Sequence, residues 1–249
     1  MQILLVSDLH YTLKQFDWVG RVAPDFDLVV LAGDQLDAGS FVEYDAQIAA
    51  VETFLTRLAG RARLVVSSGN HDLDTTGPDG ERVAAWLGAL REAGATVDGD
   101  SLAVDGTLVT VCPWWDGPLA RDAVGAQLAR DAAIEKERWI WVYHAPPDGS
   151  PTSWTGARHY GDADLVAWID EHRPDLVLTG HVHESPFRSD GGWCDRIGPT
   201  WVLNAGRQRG PLPTHVIVDL DAATATWHSL AGVETADLTA GTAPARTAV

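Results

Sequence analysis

Basic residues are scarce in this chain. Its 249 residues include 18 Lys and Arg against 35 Asp and Glu, a net charge of −17. An acidic surface argues against tight binding to nucleic acid, whose phosphates need cationic partners. It leaves small phosphate esters open, because bound cations reverse the local field. Cysteine is nearly absent. Cys112 and Cys194 are too few for a disulfide framework and read as buried, reduced thiols of a cytoplasmic protein. No apolar run approaches the ~20 residues needed to cross a bilayer. The first apolar run begins at residue 3, with no basic region or cleavage site ahead of it, so no signal peptide is expected. No internal repeat is evident. With 45% hydrophobic and 21% charged residues, the chain reads as a globular protein with enough length for one large domain. Oligomeric state is not legible.

What is present is a series of short apolar runs, at 3–6, 28–32, 64–66, 139–143 and 176–178. Runs of this length, rich in Val, Ile and Leu, suit strands buried on both faces. Helical spacing lies between several of them. Ile48, Val51, Leu55 and Leu58 form one stripe. Val83, Trp86, Leu87 and Leu90, closed by Gly94, form another. Leu165, Trp168 and Ile169, stopped before Pro174, form a third. Alternating strand and helix predicts a largely parallel sheet, with ligands at its carboxyl edge. An Asp105-Gly106 hairpin signal joins 101–104 to 107–112. Together with strands at 200–203, 215–220 and 225–230, it predicts a second sheet packed on the first. The domain is expected over 1–233. Residues 234–249, rich in Thr, Ala, Gly and Pro, read as a disordered tail. The 145–162 stretch reads as a long loop with no element of its own, either functional or passive.

Each of the five runs is followed by a block that carries metal-binding side chains: Asp8-Leu9-His10, Gly33-Asp34, Gly69-Asn70-His71-Asp72, His144, and Gly180-His181-Val182-His183. Asp8 and His10 are two apart, so on an extended segment both can reach one ion. His181 and His183 share that spacing. Gly33 permits close backbone approach beside Asp34. Asn70 offers a neutral carbonyl oxygen, an uncommon ligand. Taken singly, each block is weak: Asp-x-His arises by chance, a lone His is more often structural, and Gly-Asp is most often a turn.

Taken in order, the blocks resemble the signature of the calcineurin-like metallophosphoesterase superfamily: D-x-H, G-D, G-N-H-[DE], a lone H and G-H-x-H. The resemblance covers about residues 1–206. It implies a four-layer αββα sandwich of two mixed β-sheets flanked by helices, the metallo-dependent phosphatase fold. It also implies that Asp8, His10 and His183 hold one metal ion, that Asn70, His144 and His181 hold a second, and that Asp34 bridges them through its two oxygens. Mixed carboxylate, imidazole and carbonyl donors suit Mn, Fe, Zn or Co better than Ca, and the absence of Cys ligands argues against a structural zinc. The expected activity is metal-dependent hydrolysis of a phosphodiester or phosphomonoester, a small molecule or nucleotide, by a hydroxide bridging two divalent or trivalent ions. In that scheme His71 is the general acid for the leaving alcohol, and Asp37 hydrogen-bonds His71 and keeps it protonated. Alternatives are a non-catalytic scaffold of the same fold, or a nuclease. Ala38 stands where the protein-phosphatase branch carries Arg, which disfavours protein dephosphorylation. Substrate-binding residues are not assigned. Arg207 and Arg209 are candidate phosphate contacts. Trp114, Trp115 and Trp154 are candidates either for stacking on a nucleobase or for loop packing, while Trp86, Trp139, Trp141 and Trp168 read as core.

Overall fold

The computed structural model describes residues 1–243. Its strands are β1 (Gln2–Val6), β2 (Leu28–Ala32), β3 (Leu64–Ser67), β4 (Thr75–Thr76), β5 (Arg82–Val83), β6 (Thr96–Val97), β7 (Ser101–Val104), β8 (Thr107–Val111), β9 (Arg138–Val142), β10 (Leu176–Thr179), β11 (Cys194–Ile197), β12 (Thr200–Asn204), β13 (His215–Asp219), β14 (Thr224–Ser229) and β15 (Gly232–Asp237). The helices are α1 (Leu13–Val22), α2 (Tyr44–Ala59), α3 (Leu87–Glu92), α4 (Pro118–Ala132) and α5 (Ala163–His172).

Two mixed sheets stack face to face. One runs β15-β14-β13-β1-β2-β3-β6, the other β11-β12-β10-β9-β8-β7. The parallel centre of the first is β1, β2, β3 and β6, extended antiparallel by β13, β14 and β15. In the second, β8, β9, β10 and β12 are parallel, with β7 and β11 antiparallel at the edges. Alternation along each strand divides the apolar residues between two cores. Ile3 and Leu5 of β1 face the second sheet beside Val30, Val142 and Leu203, whereas Leu4 and Val6 face Phe16, Val51 and Leu55 of the helices outside. On the far side Trp139 and Trp141 of β9 meet Val124 of α4 and Leu165 and Ile169 of α5. The result is the four-layer αββα sandwich, as expected.

Four details differ from the sequence reading. The five ligand-bearing strands do not share a sheet: β1, β2 and β3 lie in one, β9 and β10 in the other. Strands β13 and β14, expected in the second sheet, instead complete the first by pairing beside β1. Val83 is not helical. It lies on β5, 42% exposed, and α3 begins only at Leu87. Finally, β15 pairs along β14 from Gly232 to Asp237, so the sheet continues past the expected boundary at 233. Residues 244–249, the end of the expected tail, lie outside the described residues.

Candidate metal centre

The loops that leave the strands are tied to one another in pairs. Asp8 N–H donates to Gly33 carbonyl at 3.0 Å and His10 N–H to Asp34 carbonyl at 3.0 Å, joining the β1 and β2 exits. On the other sheet Gly180 N–H donates to His144 carbonyl at 2.9 Å, joining the β9 and β10 exits. Bonds also cross between the sheets: among them, His181 N–H donates to both carboxylate oxygens of Asp8 at 3.1 Å. Asp8, His10, Asp34 and His181 all have positive φ (56°, 42°, 56° and 67°). For residues with a Cβ that conformation is strained, and such strain gathers at functional sites. Glycines make room for the side chains. A Cβ at Gly69 would lie 2.6 Å from His144 Nε2 and 2.7 Å from Asp34 N, closer than packing allows.

Six of the seven expected ligands fall into two groups of candidate donors. Asp8, His10, Asp34 and His183 form one group, and Asp34, His144 and His181 another, each with donor atoms within 4.8 Å of one another. Asp34 is common to both groups. Its Oδ1 accepts the His71 N–H at 2.8 Å. Its Oδ2 lies 3.5 Å from His10 Nε2 and 3.4 Å from His144 Nε2. Oδ2 is therefore within reach of both groups.

Unsatisfied atoms show that these residues fit a cation. His144 Nδ1 donates to Ala32 carbonyl at 2.7 Å, which fixes the ring and aims Nε2 inward, the nitrogen left for an ion. That Nε2 is buried with no partner, and so is Asn70 Oδ1. Orphan polar atoms at such depth are rare. His10 Nε2 and His183 Nε2 approach to 3.0 Å, a separation that needs a proton or a cation between two ring nitrogens. The electrostatics divide: without an ion His144 is held as an imidazolium, whose Nε2 proton an ion must displace, whereas His181 is neutral. Burial alone would depress His144, but the Asp34 and Asp8 carboxylates outweigh it and hold its pKa up at about 9. Burial opposes charge on Asp8 as well, yet hydrogen bonds with His10 and His183 keep its carboxyl well below the usual range. His181, desolvated and beside His144, is pushed down to about 4 and presents a neutral imidazole. A donor set of two carboxylates, four imidazoles and one amide oxygen suits a transition-series ion.

His71 and Asp37 do not pair as expected. Asp37 Oδ1 lies 3.9 Å from His71 Nδ1, beyond hydrogen-bond range. It accepts instead from Gly39 N–H at 2.9 Å. His71 Nδ1 accepts from the Ala38 N–H at 3.0 Å. Nδ1 therefore carries no proton, and the proton resides on Nε2. Burial also lowers the His71 pKa, so the charged form assumed for the acid is disfavoured. Arg207 donates its backbone N–H to His183 carbonyl at 3.3 Å, which places that turn beside the site, and Arg209 is exposed.

Two residues that position the site were missed. Asp72 is buried and accepts three backbone N–H bonds, from Asp34 (2.7 Å), Gly69 (2.8 Å) and Leu36 (2.9 Å). It clamps the β2 exit to the β3 exit. Burial and the nearby Asp34 charge push its pKa up to about 8. Its signal was an acidic residue inside a ligand block, too close to Asn70 to be a free loop carboxylate. Tyr44, at the start of α2, donates its hydroxyl to the His71 carbonyl. No local pattern marks it.

A cleft of about 360 Å³ opens from His144 and His181, lined in part by Trp114, Trp115 and Tyr160. Trp154 lies elsewhere, 5.0 Å from the His159 ring, and packs within the 145–162 loop. That loop is not featureless, since Pro151–Ser153 forms a 3-10 turn capped by Ser150.

Among solved structures, the chain is similar to the purple acid phosphatase PPD1 from yellow lupin (Lupinus luteus) seeds, at 12% identity and TM-score 0.59. The alignment covers 98% of this chain and 52% of the lupin chain, a likeness of fold. The phosphoesterase Yfce from E. coli aligns at 13% identity and TM-score 0.48, over 96% of this chain and 100% of that one. A metallophosphoesterase from Sphaerobacter thermophilus aligns at 16% identity and TM-score 0.43, over 92% and 87%. No curated protein sequence matches. Among the described residues no helix is long and apolar enough to cross a membrane. The family model for calcineurin-like phosphoesterases matches residues 1–185, nearly three quarters of the sequence and all seven candidate ligands, and the chain belongs to that family of phosphoric ester hydrolases.

Proposed function

We propose that this chain holds two metal ions, of Mn, Fe, Zn or Co, and hydrolyses a phosphodiester or phosphomonoester of a small organic molecule or nucleotide. Asp8, His10 and His183 would hold one ion, and Asn70, His144 and His181 the other, with Asp34 Oδ2 shared. The observation that carries this reading is the shared Oδ2 between two imidazoles, flanked by the orphaned His144 Nε2 and Asn70 Oδ1. A bound ion pair supplies an activated water and neutralises charge on the phosphoryl oxygens.

The chain's own residues do the rest. Asp8 and Asp34 hold their charge and keep the imidazoles aimed inward. The water gives up one proton to solvent and its oxygen bonds to phosphorus, as the bond from phosphorus to the leaving oxygen breaks with its electron pair. His71 Nε2–H, oriented by the Ala38 amide, hydrogen-bonds the leaving oxygen as charge grows on it. That oxygen takes its proton finally from solvent, because a neutral imidazole is too weak an acid to surrender one. Asp37 positions the turn that carries Ala38 and touches no reacting atom.

The test is Asp34→Asn, with metal content and turnover of bis-p-nitrophenyl phosphate measured together. Metal content should fall below two ions per chain, and turnover should drop by at least about 10²-fold, the scale of losing one electrostatic anchor. Retention of both at wild-type levels would refute the shared-oxygen centre.

A further inference from the structure

The cleft beside His144 and His181 plays no part in the chemistry above. Its volume of about 360 Å³ falls within the roughly 300–1,000 Å³ of small-molecule sites. Its walls are held from behind. Trp115 Nε1 donates to Tyr143 oxygen at 2.6 Å and to Asp162 Oδ2 at 3.1 Å, and the Tyr143 hydroxyl donates to that same carboxylate oxygen. The other oxygen of Asp162 caps α5 through the N–H groups of Asp164 and Leu165. With its oxygens engaged in this way, Asp162 locks the Trp115 ring without help from a ligand, so little ordering is left to a guest.

Trp114 stands 5.1 Å from the His181 ring and 5.6 Å from His144, where it joins the cleft to the metal centre. Tyr160 stacks on His181 at 5.1 Å with 22° between the planes, and is 52% exposed. Among the described residues, no Lys or Arg lines the cleft, while Asp162 and Asp164 do. The part of a substrate that enters must present a flat face to the rings. It must also carry no anionic charge beyond the one phosphate at the metal centre. His71 belongs to the opposite end: its ring packs 4.6 Å from His10 and it lines no part of the cleft. The group held in the cleft is therefore not the group that departs past His71.

The geometry points to a phosphodiesterase whose aromatic cleft holds the retained ester group of a single-phosphate diester, a nucleoside or aryl group, while the second ester group leaves past His71. This rests on the phosphoesterase reading above and narrows it. A small monoester leaves the cleft unfilled, and a nucleoside di- or triphosphate places further negative charge beside Asp162 and Asp164.

Two diesters test it. Thymidine 5′-(p-nitrophenyl phosphate) and methyl p-nitrophenyl phosphate lose the same p-nitrophenolate and differ only in the group retained. The Mn²⁺-loaded protein should favour the nucleoside diester by at least about tenfold in kcat/KM, a modest share of what a stacked base contributes. In Trp114→Ala that ratio should collapse toward one, while Trp114→Phe, which keeps a stacking face, should retain most of it. Equilibrium binding supplies a readout apart from turnover: thymidine 5′-monophosphate should bind the metal-loaded protein at least about tenfold more tightly than methyl phosphate, and Trp114→Ala should erase the difference. A wild-type ratio near one, a ratio that survives Trp114→Ala, or an equal loss in Trp114→Phe overturns the cleft assignment. Absence of turnover on both diesters would strike the phosphoesterase reading instead, and the binding comparison would still decide the cleft.

Discussion

Gly69→Ala is the smallest change that should disable the metal centre while leaving every ligand in place. The added methyl would sit 2.6 Å from His144 Nε2, where ordinary contact begins near 3.4 Å. Asp34 Oδ1 lies nearer still, so the partners must give way by at least about 0.8 Å, beyond the roughly 0.5 Å within which a metal or catalytic constellation still works. Little room for retreat exists. His144 is held by Ala32 carbonyl at 2.7 Å, and Asp34 by His71 N–H at 2.8 Å. Misplacing ligands at this scale resembles the loss of an outer hydrogen bond to a ligand, which costs about 10–100-fold in metal affinity, or about 1.4–2.8 kcal/mol. Isothermal titration with Mn²⁺ or Zn²⁺, together with metal content after dialysis, measures this directly. The matched control is Gly20→Ala on α1, where nothing lies within 4 Å of the new Cβ; it should bind metal normally and gain up to about 1 kcal/mol of stability from helix propensity. If Gly69→Ala binds two ions with unchanged affinity, the cradle around His144 and Asp34 does not have the tightness argued above.

His71→Ala should slow diesters with poor leaving groups by about 10–10²-fold and p-nitrophenyl esters much less. That is short of the ~10²–10⁴-fold typical of full general acids, because Nε2–H only hydrogen-bonds the departing oxygen. Kinetics on a leaving-group series decide this, and equal slowing across the series would remove His71 from the leaving-group side. His215 sets a pH dependence of stability. Burial, the dominant cause, and the neighbouring His228 lower its pKa from 6.5 to about 4; it is buried beside the Trp18 ring and stacked on His228. Since the unfolded chain binds the proton more readily, the stabilisation is complete above about pH 6.5 and is lost as pH falls toward 4. The amount is about 3 kcal/mol. Urea unfolding of wild type and His215→Phe in chelator at pH 7 and pH 4.5 should show the smaller decline in the variant, and parallel declines would contradict the assignment.

The positions of the candidate ligands were legible because each is a local event. A short apolar run ends, in three of the five blocks a glycine (Gly33, Gly69 or Gly180) allows the backbone to turn sharply, and an Asp, Asn or His follows. Helices α2 and α5 were legible for a similar reason, since their apolar stripes repeat at helical spacing. Helices α1 and α4 were not marked. Gln127 and Asp131 are among the residues α4 buries, which leaves it no clean apolar stripe, whereas α1 does carry Leu13, Phe16, Val19 and Val22 at three-residue spacing. The Asp37–His71 pairing failed because the position of Asp37 three residues after Asp34 says nothing about how the turn closes. Here Gly39 N–H claims the Asp37 carboxylate, and the Ala38 N–H reaches His71 first.

By itself, then, the order of residues determined which side chains stand at the ends of which strands, because strand and turn propensities act over a few neighbours. Tertiary structure alone decided how those ends meet. Pairing of β13 beside β1 and of β9 beside β10 divides the ligand strands between two sheets, and the stacking of their apolar faces brings Asp8 within reach of His181 and His183, 173 and 175 residues away. The Asp72 clamp between the β2 and β3 exits and the aromatic cleft beside β8, β9 and β10 arise from strand pairing within each sheet, and the meeting of Asp8 with His181 and His183 from the stacking. Each depends on contacts between segments that have no sequence proximity, and hydrophobic burial, which is non-directional, sets such contacts only when the whole sandwich closes.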